Sequence, residues 1–187
     1  YLGFSRHPRV VKAAQKALER YGGGAGAARL ISGTTKSHEA LEKKLARFKE
    51  KESALVFAAG FLANFGILTA FAGEEDVIIM DKLCHASLVD GARLSKAELR
   101  VFPHKNYKKC EELLRGSQGA RRRILVTETV FSMDGDLADL KELIRLKKKY
   151  GALLVADDAH GTGVLGKHGR GATEGFSKGI DIIMGTL

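Results

Sequence analysis

Short apolar runs alternate with helix-patterned stretches along most of the chain, and this alternation limits the folds it can adopt. The apolar runs, which we interpret as strands, cover residues 53–58, 76–80, 99–102, 123–129, 152–156 and 180–184. The stretches between them carry apolar residues at helical spacing, as in residues 61–71, 87–94, 107–114 and 137–150. Strands that alternate with helices predict parallel pairing and right-handed crossovers, with both sheet faces covered. We therefore predict an α/β fold, a three-layer α/β/α sandwich with a mainly parallel sheet.

The N-terminal part follows a different pattern. Helical spacing predicts helices over residues 10–21 and 38–51, and a long glycine-rich loop, GGGAGAARLISGTTKSH, joins them. Long loops of this kind are usually functional or disordered. We therefore divide the chain into residues 1–50, with the helices and the loop, and residues 51–187, which form the large domain.

Charge and composition narrow the range of partners. The net charge is +9, with basic runs at 121–123 and 147–149. Nucleic acid is one partner that a basic surface could bind. No aromatic residues interleave with these runs as a stacking platform requires, and lysines at 147–149 also suit a helix C-terminus. We expect no nucleic-acid partner, and a polyanionic small substrate suits this surface as well.

The sequence also carries no sign of membrane insertion or secretion. No apolar run reaches the length that spans a bilayer, and residues 1–5 lack the pattern of a signal peptide. Cys84 and Cys110 form no CxxC pair. We expect a cytoplasmic protein without disulfides or membrane contact.

Two acids and a histidine follow the buried strand LLVA, as Asp157, Asp158 and His160. Carboxylates at the end of an apolar strand are unfavourable unless they meet a cation or a hydrogen-bond donor. A protonated heterocyclic nitrogen would be such a partner. The alternative is that the acid pair caps backbone amides of a loop. Because ligands of α/β sheets bind beyond the carboxyl ends of the strands, we favour a binding role.

Two nucleotide-binding patterns overlap just after these acids. Residues 161–166 spell GxGxxG, and residues 161–167 spell GxxxxGK, followed by His168 where Ser or Thr should bind magnesium. Both patterns require a strand directly before them and a helix directly after. Here DDAH intervenes, and the glycine-rich residues 167–175 cannot open a helix. We therefore reject both interpretations.

Three further segments follow predicted strands and carry polar or flexible residues. Gly60 and Phe61 open a helix whose free amides could bind phosphate, although a glycine here is also ordinary turn chemistry. His85 could stack on a flat ring, act as an acid or base, or be structural. Cys84 beside it lacks a second ligand pair, so we expect no metal site. Ser132 could donate a hydrogen bond, but no GxSxG elbow makes it a nucleophile.

Five segments together resemble one family, and they occur in the same order and at similar spacing: GFLAN, HASLVDGARLSKA, ETVFSMDGD, DDAHGTGVLGKHGRG and DIIMGTL. They resemble the large domain of the α-oxoamine synthases, which are fold type I enzymes dependent on pyridoxal 5'-phosphate (PLP). The resemblance implies a homodimeric acyltransferase that condenses an amino acid with an acyl-CoA. It favours a member that joins L-alanine to a pimeloyl thioester, with glycine and acetyl-CoA as the alternative. A non-catalytic α/β nucleotide-binding module is the competing class.

The resemblance also implies roles around the ring of the cofactor. His85 would stack on the pyridine ring, and Asp157 would pair with the ring nitrogen. His160 would bond the phenolic oxygen, and Ser132 would lie beside the cofactor. His85, Asp157 and His160 are therefore the candidate catalytic residues.

At the other end of the cofactor, the resemblance implies that Gly60, Phe61 and Thr186 hold the phosphate. The family carries its Schiff-base lysine shortly after the segment that matches GTL, and the printed sequence ends at Leu187. We expect that lysine and a small C-terminal domain beyond Leu187, and a further segment before Tyr1. Residues 1–187 alone are then expected to be inactive.

Overall fold

A computed structural model describes residues 2–187, and their contacts form two compact units, Tyr1–Val56 and Phe57–Leu187. The division after residue 50 that we drew from the sequence falls within the first unit. No helix among the described residues is long and apolar enough to cross a membrane. Cys84 and Cys110 are both free and buried.

The first unit contains helices α1 (Pro8–Tyr21) and α2 (Lys36–Phe48), so both predicted helices are confirmed, each with an earlier start. Proline at the first position of α1 already has the helical φ angle, and His7 caps the helix by accepting a hydrogen bond from the Arg9 amide at 3.3 Å. Helix α2 ends three residues before its predicted end, because Glu50 adopts a positive φ of 53° that no helix continues through.

The strand predicted over residues 53–58 is wrong, because this segment forms no strand. The Val56 amide donates to Glu42 Oε1 at 2.9 Å, and its carbonyl accepts from Arg29 Nη1 at 3.1 Å. Arg29 and Glu42 are themselves paired at 2.6 Å. Backbone groups that a sheet would use are thus bonded to side chains, and Leu55 is 67% exposed.

The second unit is a parallel five-stranded sheet with helices between its strands. Its elements are α3 (Gly60–Phe71), β1 (Val77–Asp81), α4 (Ala86–Leu94), β2 (Glu98–Phe102), α5 (Tyr107–Arg115), β3 (Arg123–Glu128), α6 (Leu140–Tyr150), β4 (Leu153–Asp157) and β5 (Ile182–Met184). The strand order is β2-β1-β3-β4-β5, and every neighbouring pair is parallel. The other five predicted strands are confirmed, with ends that shift by one or two residues.

Helix α6 begins three residues later than predicted. Leu137 instead forms an isolated antiparallel bridge with Val130. Asp139 then caps the helix, since its Oδ1 accepts a hydrogen bond from the Glu142 amide at 3.0 Å.

Successive strand residues face opposite sides of the sheet and build two separate cores. One core joins Ile79, Leu125 and Leu154 to residues of α5 and α6, among them Leu114 and Leu143. The other joins Ile78, Val126 and Val155 to residues of α3 and α4, among them Leu68 and Leu88. Helices therefore cover both faces, and the predicted three-layer sandwich is confirmed. Because the strands are parallel, their carboxyl ends all lie along one edge.

Candidate active site

The carboxyl edge of the sheet gathers most of the residues singled out from the sequence. His85 follows β1, Ser132 follows β3, Asp157 ends β4, and Thr186 follows β5. The pairing of β3 with β4 sets Glu128 opposite Asp157, and that of β4 with β5 sets Asp157 opposite Met184.

Asp157 is a buried carboxyl group whose two oxygens bond to neutral donors. Oδ2 accepts from Asn64 Nδ2 at 2.7 Å, and Oδ1 accepts from the Ala159 amide at 2.9 Å. The side chain is only 5% exposed, and this burial raises its pKa. The two hydrogen bonds and the nearby His85 and His160 oppose that rise. A cation in contact with Asp157 would stabilise its charged form further.

Asn64 connects Asp157 to His85 through Ser87. Besides the carboxylate, Asn64 Nδ2 donates to Ser87 Oγ at 2.9 Å. Ser87 Oγ lies 2.8 Å from His85 Nδ1, and the Ser87 amide donates to the same nitrogen at 3.2 Å. Asn64 and Ser87 are both buried, and Asn64 Oδ1 has no hydrogen-bond partner among residues 2–187.

Glu128 is a second buried carboxyl group at this edge. Its Oε2 accepts from the Ser132 amide at 3.2 Å, while its buried Oε1 has no partner. Burial, followed by the charge of Asp157, raises the pKa of Glu128 to about 7, against the bonds from the Ser132 and His85 amides. Near neutral pH this group therefore exchanges a proton beside Asp157.

The N-terminus of α3 is open and lies against Thr186. Its first intrahelical hydrogen bond runs from the Ala63 amide to the Ala59 carbonyl, so the amides of Gly60 and Phe61 precede the helical ladder. No side chain caps this end. A Cβ atom on Gly60 would lie 2.7 Å from Thr186 Cγ2, so only glycine fits there without a shift. Open amides at a helix N-terminus bind anions well.

Asp158, next to Asp157, has a structural role. Its Oδ1 accepts from Thr129 Oγ1 at 2.6 Å and from the Ala172 amide at 3.1 Å. Its Oδ2 lies 3.3 Å from Thr173 Oγ1. The alternative that the acids cap loop backbone thus applies to Asp158, which fixes the loop of residues 161–175 after β4.

The glycine motifs after β4 do not open a helix. The chain turns at Gly163 and Gly166, with φ values of 81° and 85°, and residues 158–176 contain only turns, bends and irregular backbone. The helix that both nucleotide-binding patterns require directly after them is therefore absent from the described residues.

Two predicted residues lie at the margin of this arrangement. Ser132 is exposed, and its backbone amide rather than its hydroxyl bonds to Glu128. His160 is partly buried, and its charge acts on Asp157.

Asn64, Ser87 and Glu128 were not identified from the sequence, although all three lie in the segments that carry the family resemblance. A buried polar residue in an apolar helix, as in GFLAN, is the signal that marks Asn64.

A cluster of charged side chains around His104, at the same edge, was also not identified from the sequence. His104 bonds Asp81 Oδ1 at 2.9 Å and Asp136 Oδ2 at 3.1 Å, and Lys105 Nζ pairs with Asp136 at 2.8 Å. Burial lowers the pKa of His104, but the bonds to the two carboxylates outweigh it and raise the pKa overall. His104, Asp134 and Asp136 have ligand-type atoms within 4.8 Å of one another. Lys105 already supplies a positive charge beside Asp136, where a metal ion would otherwise have to lie. We therefore interpret the cluster as structural, because His104 connects Asp136 in the loop after β3 to Asp81 at the end of β1.

Taken together, the edge offers a buried carboxylate, an imidazole ring of fixed orientation and an open helix N-terminus. These groups suit a ligand that has a basic ring nitrogen at one end and an anion at the other.

Comparisons with known proteins identify a family for this chain. A family model described as aminotransferase class I and II matches residues 1–187. The 8-amino-7-oxononanoate synthase of Geobacter sulfurreducens is 54% identical over 189 residues, which cover 100% of this chain and 48% of that protein. This chain spans about half the length of the curated relatives it matches.

Solved structures of serine palmitoyltransferases are also similar to this chain. The serine palmitoyltransferase of Sphingomonas wittichii superposes with a TM-score of 0.95 at 38% identity, over 100% of this chain and 47% of that one. A variant of the serine palmitoyltransferase of S. paucimobilis, solved with bound PLP and myriocin, superposes with a TM-score of 0.92 at 35% identity, with the same coverage.

Proposed function

The chain belongs to the class I and II aminotransferase family, and on this premise we propose that the full-length protein is a PLP-dependent acyltransferase, an 8-amino-7-oxononanoate synthase. It would condense L-alanine with a pimeloyl thioester in biotin biosynthesis. The observation that carries the proposal is the 54% identity to the Geobacter sulfurreducens enzyme across the whole chain. Serine palmitoyltransferases superpose closely but at 38% identity or less, so the fold does not choose between members.

The residues at the carboxyl edge fit PLP in three respects. Asp157 is a buried carboxylate with only neutral hydrogen-bond donors, which suits a protonated pyridine nitrogen. The uncapped α3 N-terminus, with Gly60, Phe61 and the adjacent Thr186, suits the phosphate. His85 offers a flat ring at the same edge of the sheet.

Each of these residues has a definable task in the proposed reaction. When bound, PLP supplies an electron sink that stabilises negative charge at the amino-acid α-carbon. Asp157 would hold a proton on the ring nitrogen, because an opposite charge at close range raises the pKa of that nitrogen. His85 would fix the plane of the ring, and His160 would donate a hydrogen bond to the phenolic oxygen. Ser132 would line the space beside the ring.

Assembly and location are part of the same proposal. We propose a cytoplasmic homodimer that takes an amino acid and an acyl-CoA as substrates. In support, Leu30 and Ile31 in the glycine-rich loop are 98% and 82% exposed. Large apolar side chains that are this exposed favour a protein–protein contact.

The alternative is glycine C-acetyltransferase, because the loop GAGAARLISGTTKSH resembles that enzyme about as well. The two reactions differ by one methyl group at the amino acid, which is worth only about 1–3 kcal/mol in a binding pocket. Steady-state assays of the full-length protein should therefore compare alanine plus pimeloyl-CoA with glycine plus acetyl-CoA. We expect the first pair to have the higher kcat/KM. A higher value for the second pair would overturn the choice of member and leave the family intact.

A further inference from the structure

We infer that Asn64 and Ser87 are positioning residues that fix the carboxylate of Asp157 and hold the ring of His85 in the tautomer with its proton on Nε2. The two residues form a continuous hydrogen-bonded bridge between the ends of β4 and β1. The effect on catalysis rests on the proposed function, whereas the effect on the two side chains does not.

The amide of Asn64 can occupy only one orientation. Its Nδ2 carries two hydrogens, and two acceptors lie within reach, Asp157 Oδ2 at 2.7 Å and Ser87 Oγ at 2.9 Å. A flipped amide would set its oxygen against the carboxylate oxygen. The side chain is 1% exposed, so water does not substitute for either bond.

This orientation leaves the oxygen of the same amide without a hydrogen bond. Asn64 Oδ1 is buried and has no partner. A buried polar atom without a hydrogen-bond partner is unfavourable. An apolar residue of similar size would avoid that loss, so the useful part of Asn64 is its NH₂ group. That group points at the carboxylate proposed to hold the pyridine proton.

Ser87 passes this constraint on to His85. Its Oγ accepts from Asn64, which can only donate through Nδ2, so the hydroxyl hydrogen remains for His85 Nδ1 at 2.8 Å. The Ser87 backbone amide, also an obligate donor, points at the same Nδ1 at 3.2 Å. Two donors on one ring nitrogen require a lone pair there. A neutral His85 therefore carries its proton on Nε2.

The bridge gives Asp157 and His85 a common geometric reference. Ser87 is fully buried at 0% exposure and lies in the first turn of α4, where its own backbone is held by the helix. The carboxylate and the imidazole are thus placed relative to one another before any ligand arrives. Preorganisation of this kind matters because small displacements of catalytic groups reduce rates strongly.

Two substitutions in the full-length protein test the inference, with a matched control. Ser87→Ala removes the hydroxyl, and Asn64→Leu replaces the amide with an apolar group of similar size. Ser95→Ala is the control, because Ser95 is also buried and lies at the end of the same helix, and its hydroxyl bonds to the Ala92 carbonyl and the Ala97 amide.

The first measurement uses the cofactor-free protein and does not depend on activity. In ¹⁵N NMR of histidine-labelled protein at about pH 8, where histidine is neutral, wild type and Ser95→Ala should show His85 with its proton on Nε2. Ser87→Ala leaves only the longer backbone-amide bond, at 3.2 Å, on Nδ1, so the fraction of His85 with its proton on Nδ1 should rise. If that fraction in Ser87→Ala equals the wild-type fraction, the hydroxyl does not hold the ring and the inference is wrong.

The second measurement adds PLP and substrates. Loss of a hydrogen bond to a charged group predicts that kcat of Asn64→Leu falls about tenfold or more, with a much smaller change in KM. Wild-type kcat in folded Asn64→Leu would overturn the role of Asn64. If that variant does not fold, the smaller Ser87→Ala change decides, and it should lower kcat in the same way. A wild-type protein that binds no PLP would instead contradict the proposed function. The NMR measurement would still test the hydrogen-bonded bridge, because it uses the cofactor-free protein.

Discussion

Two adjacent aspartates, Asp157 at the end of β4 and Asp158 directly after it, serve different purposes. Side chains of neighbouring residues in a strand point to opposite faces of the sheet. Asp158 therefore meets Thr129, Thr173 and the Ala172 amide, which tie it to a loop. Asp157 meets only Asn64 and the Ala159 amide. At the scale of single residues, the groups that contact a carboxylate decide whether it is free to bind a ligand, and its place in the sequence does not.

Asp157→Asn should lower kcat about 100-fold, because loss of a charge-assisted hydrogen bond at the reacting centre removes about 3 kcal/mol. The neutral amide cannot stabilise a proton on the pyridine nitrogen, although it keeps the shape of the side chain. The measurement is a steady-state assay of the full-length protein, with circular dichroism to confirm folding. Asp181→Asn is the control, since Asp181 caps the opposite end of the sheet by accepting from the Leu154 amide at 2.7 Å. Near-normal turnover in Asp157→Asn would refute the assigned role.

Glu128 should make the protein less stable as the pH rises toward neutrality. Its pKa is raised from 4.5 to about 7 in the fold, so between these values the folded state holds a proton that the unfolded state has lost. The stabilisation is therefore complete below about pH 4.5 and disappears as the pH approaches 7. Glu128→Gln keeps a neutral group at all pH values.

Urea unfolding of the cofactor-free protein across this pH range measures the effect. The free energy of unfolding of Glu128→Gln should fall less between pH 4.5 and 7 than that of wild type. Identical slopes for the two proteins would show that Glu128 does not titrate in this range.

At the scale of elements, the N-terminus of α3 packs against the segment after β5, where Gly60 meets Thr186. The contact joins a helix near the start of the second unit to the last strand of the chain. Glycine is needed for close approach here, and the open amides beside it are the candidate phosphate site.

Gly60→Ala should weaken PLP binding about tenfold or more, since the added Cβ forces the helix N-terminus away from Thr186 and shifts the amides that would hold the phosphate. The double variant Gly60→Ala, Thr186→Ser should recover much of the affinity, because it removes the methyl group that the new Cβ meets and keeps the hydroxyl. Fluorescence titration of the cofactor-free full-length protein with PLP measures both. Equal affinities in wild type and Gly60→Ala would exclude this end of α3 as the phosphate site.

At the scale of the whole molecule, two units of different character occupy the chain. The second unit contains a sheet that is buried on both faces, whereas α1 of the first unit has no buried residue. The glycine-rich loop carries Leu30 and Ile31, which are 98% and 82% exposed. Neighbouring large apolar side chains that are this exposed favour a protein–protein contact.

The full-length protein should therefore be a homodimer, and Leu30→Ser with Ile31→Ser should weaken its association. Burial of a large apolar side chain contributes about 1.5–3 kcal/mol, so the pair should raise the dissociation constant at least tenfold. Light scattering across a concentration series measures this, with Leu94→Ser, at an exposed leucine of the second unit, as the control. A fully active wild-type monomer would contradict the proposal.

The sequence by itself determined the α/β class, the parallel sheet and the edge at which the site lies. These follow from local patterns, because an apolar run marks a buried strand and the residue that ends it must lie at the carboxyl edge. Asp157 and His85 could be singled out for that reason, whereas Thr186 was named from the family resemblance. The segment at 53–58 has the same apolar pattern, but Arg29 and Glu42 bond its backbone, and nothing local signals that competition.

Only the tertiary structure decided which polar groups meet. Asn64 and Asp157 are 93 residues apart, and Asn64 and Ser87 are 23 apart, so no periodicity connects them. The different roles of Asp157 and Asp158 and the raised pKa of Glu128 depend on such distant neighbours. The same holds for the Asn64 bond that leaves the Ser87 hydroxyl hydrogen for His85. Hydrogen bonds and electrostatic interactions act over a few ångströms in space, whereas sequence patterns report only the neighbours along the chain.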